Sequence, residues 1–504
     1  MASSLLPPLP SDLQPCSFLA SMFELVSDIW PYAIGTLAVL LALGTSVHIV
    51  LYKRDARAAA GWVGMVMVFP IAGAVLYVLL GINRIRRLAT ELRQERLRLE
   101  ANTAELQVQR HSIEQVLSPE DTHLTALGRL VDRVTRIPIT AGNDVRLLVN
   151  GEAAYPAMLE AIDGAQHTVA LSTYIFDNDR AGMMFADALE RAVKRGVEVR
   201  VLIDGVGALY SRPSITKELE RRNIPVARFL HSLFPWRMPF LNLRTHRKIL
   251  VADGCVGFTG GMNIREGHLL ESSPKSPVQD IHFRFEGPVV GHLTHMFAED
   301  LAFTTREILG GPKWFPRLHP RGKVAARGVV DGPDEDIGKL RWVLHGALAR
   351  AEHRVRIMTP YFLPDSTLIT SLNVASLRGV EVQIVLPAVS NLRFVKWASD
   401  AELWQVLAHG CRVYLSPAPF DHSKIMLVDG AWALVGSANW DSRSLRLNFE
   451  FNVECYGRDF VSELDRFVDG KIRECQEVTK EQMDARAFPV KLRDGVARLM
   501  KPYL

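Results

Sequence analysis

One polar motif occurs twice in register in this 504-residue chain, and nothing else in the sequence restricts the fold so tightly. The first copy is His246-Arg-Lys248-Ile-Leu-Val-Ala-Asp253, followed by Gly260-Gly261-Met-Asn263; the second is His422-Ser-Lys424-Ile-Met-Leu-Val-Asp429, followed by Gly436-Ser437-Ala-Asn439. In both, Lys stands two residues after His, Asp seven after and Asn seventeen after. A single HxKxxxxD arises by chance in roughly a few per cent of chains this long; two in register, each with its downstream Asn, carry far more weight. Residues two apart on a strand share a face, so His and Lys project together into one site. The Asp, an odd step away, falls on the opposite face or in the following turn, at Asp253-Gly254 and Asp429-Gly430. The two aspartates are therefore expected to support the strand, and the apolar residues between Lys and Asp read as buried strand.

The repetition extends beyond the motif. Ala161-Ile-Asp-Gly-Ala-Gln-His-Thr-Val leads to Tyr174-Ile-Phe, as Ala347-Leu-Ala-Arg-Ala-Glu-His-Arg-Val leads to Tyr361-Phe-Leu. Arg195-Gly-Val-Glu-Val-Arg-Val-Leu-Ile likewise matches Arg378-Gly-Val-Glu-Val-Gln-Ile-Val-Leu. Short β-rich runs alternate with helical stretches throughout, which indicates two imperfect copies of one α/β unit. A Pro/Gly-rich stretch from Gly310 to Gly332 makes a natural boundary between them. The expected lobes are residues 130–320 and 321–504.

Two histidines, two lysines and two asparagines suit phosphoryl chemistry on a diester. One imidazole attacks phosphorus and the other protonates the leaving alkoxide. Lys248, Lys424, Asn263 and Asn439 then hold charge developing on the non-bridging oxygens. A nucleophilic imidazole needs its far nitrogen held by an acceptor; Asp280 in the first half and Glu450 in the second are the candidates. His292 and His295 lack a carboxylate or thiolate to complete a familiar ligand pattern, and the five cysteines contain no CxxC pair, so no metal is expected. A net charge of +4 is too dilute to argue for a nucleic-acid partner.

The mean hydropathy of +0.07 is high for a soluble chain. Its source is two runs without Asp, Glu, Lys or Arg, Ile29 to Tyr52 and Ala58 to Ile82, joined by Lys53-Arg54-Asp55-Ala56-Arg57. Each exceeds the roughly 20 residues that cross a bilayer, and Pro70 should kink the second. The expectation is a retained two-helix transmembrane anchor over 29–82, preceded by a short segment 1–28 and followed by a helical stalk or linker over 83–129. Such a hairpin puts both chain ends on one side of the membrane. Residues 1–28 hold no Lys or Arg, whereas Arg84, Arg86, Arg87, Arg93, Arg96 and Arg98 follow the hairpin. That bias points the catalytic bulk to the cytoplasm, although the basic link argues the other way. The apolar, Pro-broken segment from Phe234 to Leu241, with Trp236 and Phe240, is a candidate to dip into the interface.

The paired motifs resemble the HKD signatures of the phospholipase D superfamily. Gly436-Ser-Ala-Asn-Trp-Asp441-Ser-Arg443-Ser444, Asn448-Phe-Glu450 and Thr359-Pro-Tyr-Phe-Leu-Pro364 resemble, more narrowly, bacterial cardiolipin synthase. So do Trp62 and the run from Pro70 to Gly81. The resemblance implies an N-terminal transmembrane helical hairpin plus two duplicated phospholipase D-like α/β/α lobes, related by a pseudo-twofold axis and sharing one active site. It implies a multi-pass protein of the bacterial inner membrane that acts on phosphatidylglycerol without a cofactor or a metal in the chemical step. His246, Lys248, Asp253, His422, Lys424 and Asp429 would form the catalytic set, with His246 as nucleophile and His422 as acid/base. Asn263, Asn439 and Ser437 would bind or orient phosphate; Gly261 stands where the second half has Ser437 and breaks the symmetry. A hydrolase or a transferase with another alcohol acceptor is the alternative function, and a nuclease of the superfamily the third.

Overall fold

The computed structural model describes residues 16–53, 56–81, 111–210, 212–229, 243–333 and 338–501. They form two units, one of residues up to Arg84 and one from Ile85 onward.

The N-terminal unit begins with helix α1 (Cys16–Tyr52). Its stretch Ile29–Tyr52 is, among the described residues, the one helix long and apolar enough to cross a membrane. The second charge-free run does not form a matching span. It divides into helix α2 (Ala56–Val68), helix α3 (Pro70–Leu76) and a π-helical turn Tyr77–Gly81. Phe69 leaves the helical region (φ −128°, ψ 75°), and Pro70, which has no N–H to donate, starts the next helix at its first position. The break is a reversal rather than a kink. Trp62 and Tyr77, fifteen positions apart, pack edge to face with ring centroids 5.5 Å apart. A continuous helix would separate them by about 22 Å at 1.5 Å per residue. Gly73 permits the close return, since a Cβ there would lie 2.9 Å from both the Met65 carbonyl oxygen and the Val66 Cα. The expected pair of spans is therefore corrected to one full-length helix and a short helical hairpin folded against it.

The second unit is built on a 16-stranded mixed sheet. The first half supplies β1 (Thr140–Val149), β2 (Thr168–Thr173), β3 (Glu198–Asp204), β4 (Val226–Phe229), β6 (Ile249–Ala252), β7 (Val256–Gly260) and β9 (Ile281–Glu286). The second supplies β10 (Val324–Asp331), β11 (Arg354–Met358), β12 (Glu381–Pro387), β13 (Arg412–Ser416), β15 (Ile425–Val428), β16 (Trp432–Gly436), β17 (Asn448–Tyr456) and β18 (Gln476–Val478). The strand orders mirror each other: β9-β7-β6-β2-β3-β4 in one half matches β17-β16-β15-β11-β12-β13 in the other. The halves join edge to edge where β1 pairs antiparallel with β10, Thr140 opposite Ala326. No long edge is left open at the seam.

Central strands such as β2, β15 and β16 are buried at every residue, as expected of Val/Ile-rich strands with helices on both faces. One face of each half carries its own helices, Asn150–Gly164 and Arg180–Lys194 in the first and Lys339–Arg350 and Ser366–Leu377 in the second. On the other face a single core spans both halves, with Phe283, Phe285 and Phe297 packed in the same cluster as Phe451, Val453 and Val461.

The segment expected as a stalk or linker over 83–129 is only partly described. From residue 111 it belongs to the body. Ile113, Leu124 and Leu127, with Val131 of helix α4 (Thr125–Thr135), are buried in the second half's core beside Leu340, Val343 and Leu344. Arg327 of β10 fixes this helix, pairing with Asp132 and with Glu454 across the strands while donating to the Gly128 carbonyl at 3.0 Å. The stretch Phe234–Leu241 lies outside the described residues.

Candidate active site

Each motif histidine is carried by a strand that leaves its own half and pairs with the other. Strand β5 (Arg244–Thr245) runs parallel to β17, Thr245 opposite Phe449, and the His246 N–H donates to the Phe449 carbonyl at 2.9 Å. The counterpart strand β14 (Phe420–Asp421) runs parallel to β8 (Val278–Gln279), and the His422 N–H donates to the Gln279 carbonyl at 2.7 Å. Glu450 follows Phe449 and Asp280 follows Gln279, so the exchange delivers each carboxylate to the histidine of the opposite half. His246 Nδ1 lies 3.0 Å from Glu450 Oε2; His422 Nδ1 lies 2.7 Å from Asp280 Oδ2. The two acceptors foreseen in the sequence are thus both in place, and each orients the histidine of the other lobe.

The two imidazoles are held differently. His246 Nδ1 faces two acceptors, Glu450 Oε2 and the Ser437 carbonyl oxygen at 3.1 Å. Two acceptors require the proton on Nδ1, which leaves a lone pair on Nε2. The Ser437 hydroxyl donates to Glu450 Oε2 at 2.5 Å and the Asn448 side chain to Oε1 at 3.1 Å, so the carboxylate is itself clamped. Burial pushes Glu450 up, but His246, Lys248 and the serine outweigh it and hold the carboxyl below its ordinary value, ionised. His422 Nδ1 instead lies between a carboxylate and a cation, Asp280 at 2.7 Å and Lys424 Nζ at 2.8 Å. Burial pushes Asp280 up. Burial and the two lysines push His422 well below the usual histidine value.

Lys248 and Lys424 are almost fully buried. Lys248 Nζ donates to the His246 carbonyl at 2.6 Å and sits 5.5 Å from the Tyr174 ring centre; Lys424 Nζ lies 4.0 Å from Asp280 Oδ2. Desolvation drives Lys248 down to about 7 and Lys424 to about 8, and both lysines lower His246 and His422. Two buried ammoniums held below their ordinary value beside two imidazoles form a site that gains by taking in an anion.

Asp253 and Asp429 are not part of this cluster. Each occupies the first left-handed position of an Asp-Gly turn, with φ +50° at Asp253 and +53° at Asp429, as two-residue reverse turns between strands require. The Asp253 carboxylate accepts the backbone N–H groups of Gln166, His167 and Thr168 at 2.7–2.9 Å. Asp429 accepts those of Glu352, His353 and Arg354 at 2.7–2.8 Å, and His123 Nε2 lies 3.0 Å from it. Their inclusion in the catalytic set is corrected: they fix the start of β2 and β11 against the motif strand, which is the supporting role their odd spacing indicated.

Asn263 accepts the Ile175 N–H at 3.1 Å through Oδ1, while Asn439 Oδ1 is buried without a hydrogen-bond partner. Ser437 orients Glu450. In the first half a Cβ at Gly261 would meet Asp280 Oδ1 at 2.2 Å, so the shorter Asp280 fills the space that Ser437 occupies beside Glu450. His292 accepts the Gly328 N–H at 3.3 Å, and His295 pairs with Glu299 at 3.0 Å.

Four residues escaped the sequence reading. Tyr174 and Tyr361 flank His246 and His422 edge to face, with centroids 5.3 and 6.2 Å apart. They were visible as the matched residues of the repeat, and that equivalence was the available signal. Asp204 accepts the Thr245 N–H at 2.9 Å, bracing the residue before His246. His268, buried with Nδ1 3.1 Å from the Val278 carbonyl oxygen, carries no motif that would have singled it out.

Comparison with known proteins agrees with this geometry. The family model described as cardiolipin synthase, PLD-like domain matches residues 158–273 and 344–471, one match per half. A phospholipase D-nuclease N-terminal model matches residues 40–81. Cardiolipin synthase A of Pseudomonas putida (strain GB-1) is 30% identical over 94% of this chain and 99% of its own length. Cardiolipin synthase of Geobacillus sp. (strain WCH70) is 30% identical over 96% of this chain and 97% of its own. Among solved structures, phosphatidylserine synthase of Haemophilus influenzae superposes with a TM-score of 0.59 at 15% identity, over 75% of this chain and all of that one, a likeness of fold. With both halves matched and relatives aligned end to end, the chain belongs to the bacterial cardiolipin synthases of the phospholipase D superfamily, and is a membrane-associated enzyme.

Proposed function

We propose that this site transfers a phosphatidyl group from one phosphatidylglycerol to another, giving cardiolipin and glycerol through a phosphohistidine on His246. The observation that carries the assignment is the unequal setting of the two imidazoles. His246, with its proton fixed on Nδ1 by Glu450 and the Ser437 carbonyl, presents a lone pair for attack. His422, between Asp280 and Lys424, is placed to take up and release a proton.

In the first half-reaction His246 Nε2 attacks phosphorus and a P–N bond forms. The bond from phosphorus to the glycerol headgroup breaks, and His422 gives its proton to the departing oxygen. An anionic diester between Lys248 and Lys424 offsets the charge that depresses His422, which raises its proton affinity when the acid is needed. Ionised Glu450 stabilises the positive charge that develops on the phosphorylated imidazole. In the second half-reaction the terminal hydroxyl of another phosphatidylglycerol loses its proton to His422 and attacks phosphorus, and the P–N bond breaks. Both histidines return to their starting protonation, and the steps are reversible.

The relatives' name, cardiolipin synthase, supports this substrate class, and the arginines that follow residue 83 support lobes at the cytoplasmic face of the bacterial inner membrane. Under the same proposal the body divides into lobes 130–320 and 321–504, supported by the seam between β1 and β10. His246→Ala and His422→Ala should each abolish turnover. Alkaline quench of the wild-type enzyme with phosphorus-labelled phosphatidylglycerol should trap label on His246. Label found on His422 would reverse the roles, and no label on either would overturn the covalent route.

A further inference from the structure

The N-terminal unit determines how the chain crosses the bilayer. We infer that α1 crosses once and that α2 and α3 form a re-entrant hairpin, so residue 81 leaves the membrane on the face where α1 ends, opposite the N-terminus. This goes beyond the cytoplasmic placement given above and does not depend on which lipid the site converts.

Length argues first. Ile29–Tyr52, at 24 residues, reaches about 36 Å and spans a hydrocarbon core of about 30 Å. The 13 residues of α2 reach about 20 Å, and neither arm of the hairpin can cross alone. Contacts argue second, because the two arms pair symmetrically about Phe69-Pro70. Val66 lies against Gly73 and Trp62 against Tyr77, and the return ends with Lys53 Nζ donating to the Gly81 carbonyl at 2.7 Å. Gly81 is thereby tied to the residue that follows α1. A second full span would have carried it to the far face.

Burial on α1 agrees. Ala42, Ser46 and Ile49 are covered, and the Tyr77 hydroxyl lies 2.9 Å from His48 Nδ1. Toward the N-terminus α1 is bare, with Trp30, Tyr32, Leu37 and Leu40 all more than half exposed. The hairpin therefore covers only the end of α1 nearest Lys53, from Ala42 onward, or about 16 Å of depth. Hydrogen bonds close the tip, from Phe69 N–H to the Met65 carbonyl and from Gly73 N–H to the Phe69 carbonyl, as a backbone reversal at membrane depth requires.

Charge agrees independently. With two spans the basic link Lys53-Arg54-Asp55-Ala56-Arg57 would lie on the face opposite Arg84, Arg86 and Arg87, and the charge bias would contradict itself. With a re-entrant hairpin all of these fall on one face. Residues 1–28, whose charged side chains are Asp12, Glu24 and Asp28, fall on the other.

The test labels introduced cysteines in the full-length chain, in a background with Cys16, Cys255 and Cys475 changed to Ser and only the buried Cys411 and Cys455 retained. Ser11→Cys, Asp55→Cys and Asn83→Cys are treated with a membrane-impermeant maleimide in intact cells and in inverted vesicles, after each variant is shown to retain lipid turnover. Positions 55 and 83 are expected to label from one side and position 11 from the other. Labelling of 11 and 83 from the same side, with 55 opposite, overturns the inference. Protease access to a tag ahead of Met1 in the otherwise unaltered chain provides the second measurement; a tag cut only from the side where position 83 labels overturns it equally. Which face carries position 83 is read separately and tests the cytoplasmic placement alone.

Discussion

At the residue scale, catalysis depends on how each imidazole is held. Glu450→Gln keeps the shape of the acceptor but removes the charge that, on the proposed mechanism, steadies a phosphorylated His246. We expect kcat to fall about 10²- to 10³-fold with little change in KM, measured on phosphatidylglycerol vesicles. Ser437→Ala removes one of the clamps on Glu450 and should cost about tenfold in kcat, near 1.4 kcal/mol. A loss in KM alone from either variant would assign the pair to substrate binding instead. The lysines set the pH dependence. Burial lowers Lys248 to about 7 and Lys424 to about 8, so the free site loses cationic charge as pH rises through that range. The quantity kcat/KM should therefore fall between about pH 7 and 8, while the limb of kcat lies higher because bound phosphate restores the ammonium. Lys248→Arg, which cannot deprotonate, should move the kcat/KM limb upward even where the rate is lower. An unmoved limb would exclude Lys248 as its source.

At the element scale, the motif strand works because both of its ends are fixed. His and Lys point into the site from a short irregular stretch whose leading end is hydrogen-bonded to the opposite half, and the Asp-Gly turn locks the far end to the neighbouring strand. Asp253→Ala removes an acceptor from three backbone N–H groups and should lower stability by about 2–4 kcal/mol, read as a drop in Tm. The kcat of the folded fraction should stay unchanged; a selective loss of kcat would bring the aspartate back into the chemistry. This division of labour was legible from spacing alone, since a step of two shares a strand face and a step of seven does not. The crossing of Asp280 and Glu450 to opposite histidines was not legible. It depends on two-residue strands, β5 and β14, too short to leave a pattern of alternation. The reversal at Phe69-Pro70 also escaped the sequence, because hydropathy reports how apolar a run is and not whether it turns back. Gly73 and the Trp62/Tyr77 pair record the turn, but they do so only once the contact is known. Likewise the stalk or linker expected over 83–129 was carried past residue 111, where Ile113, Leu124 and Leu127 instead commit the segment to the core.

At the scale of the whole molecule, duplication and exchange together explain why one site serves two copies of a motif. Each half contributes one histidine, one lysine and the carboxylate that the other half's histidine needs, so neither half holds a complete catalytic pair. The continuous sheet and the core shared by Phe283, Phe451 and their neighbours keep the two contributions in register. Departures from exact symmetry, Ser437 against Gly261 and Glu450 against Asp280, set the two histidines differently, and the proposed double displacement rests on that difference. The most direct test of this account presents the full-length enzyme with vesicles whose only lipid is phosphatidylglycerol, labelled in both headgroup and acyl chains. We expect one cardiolipin and one free glycerol for every two phosphatidylglycerols consumed, with no phosphatidic acid. Free glycerol matched by phosphatidic acid, with water as acceptor and no cardiolipin, would contradict it.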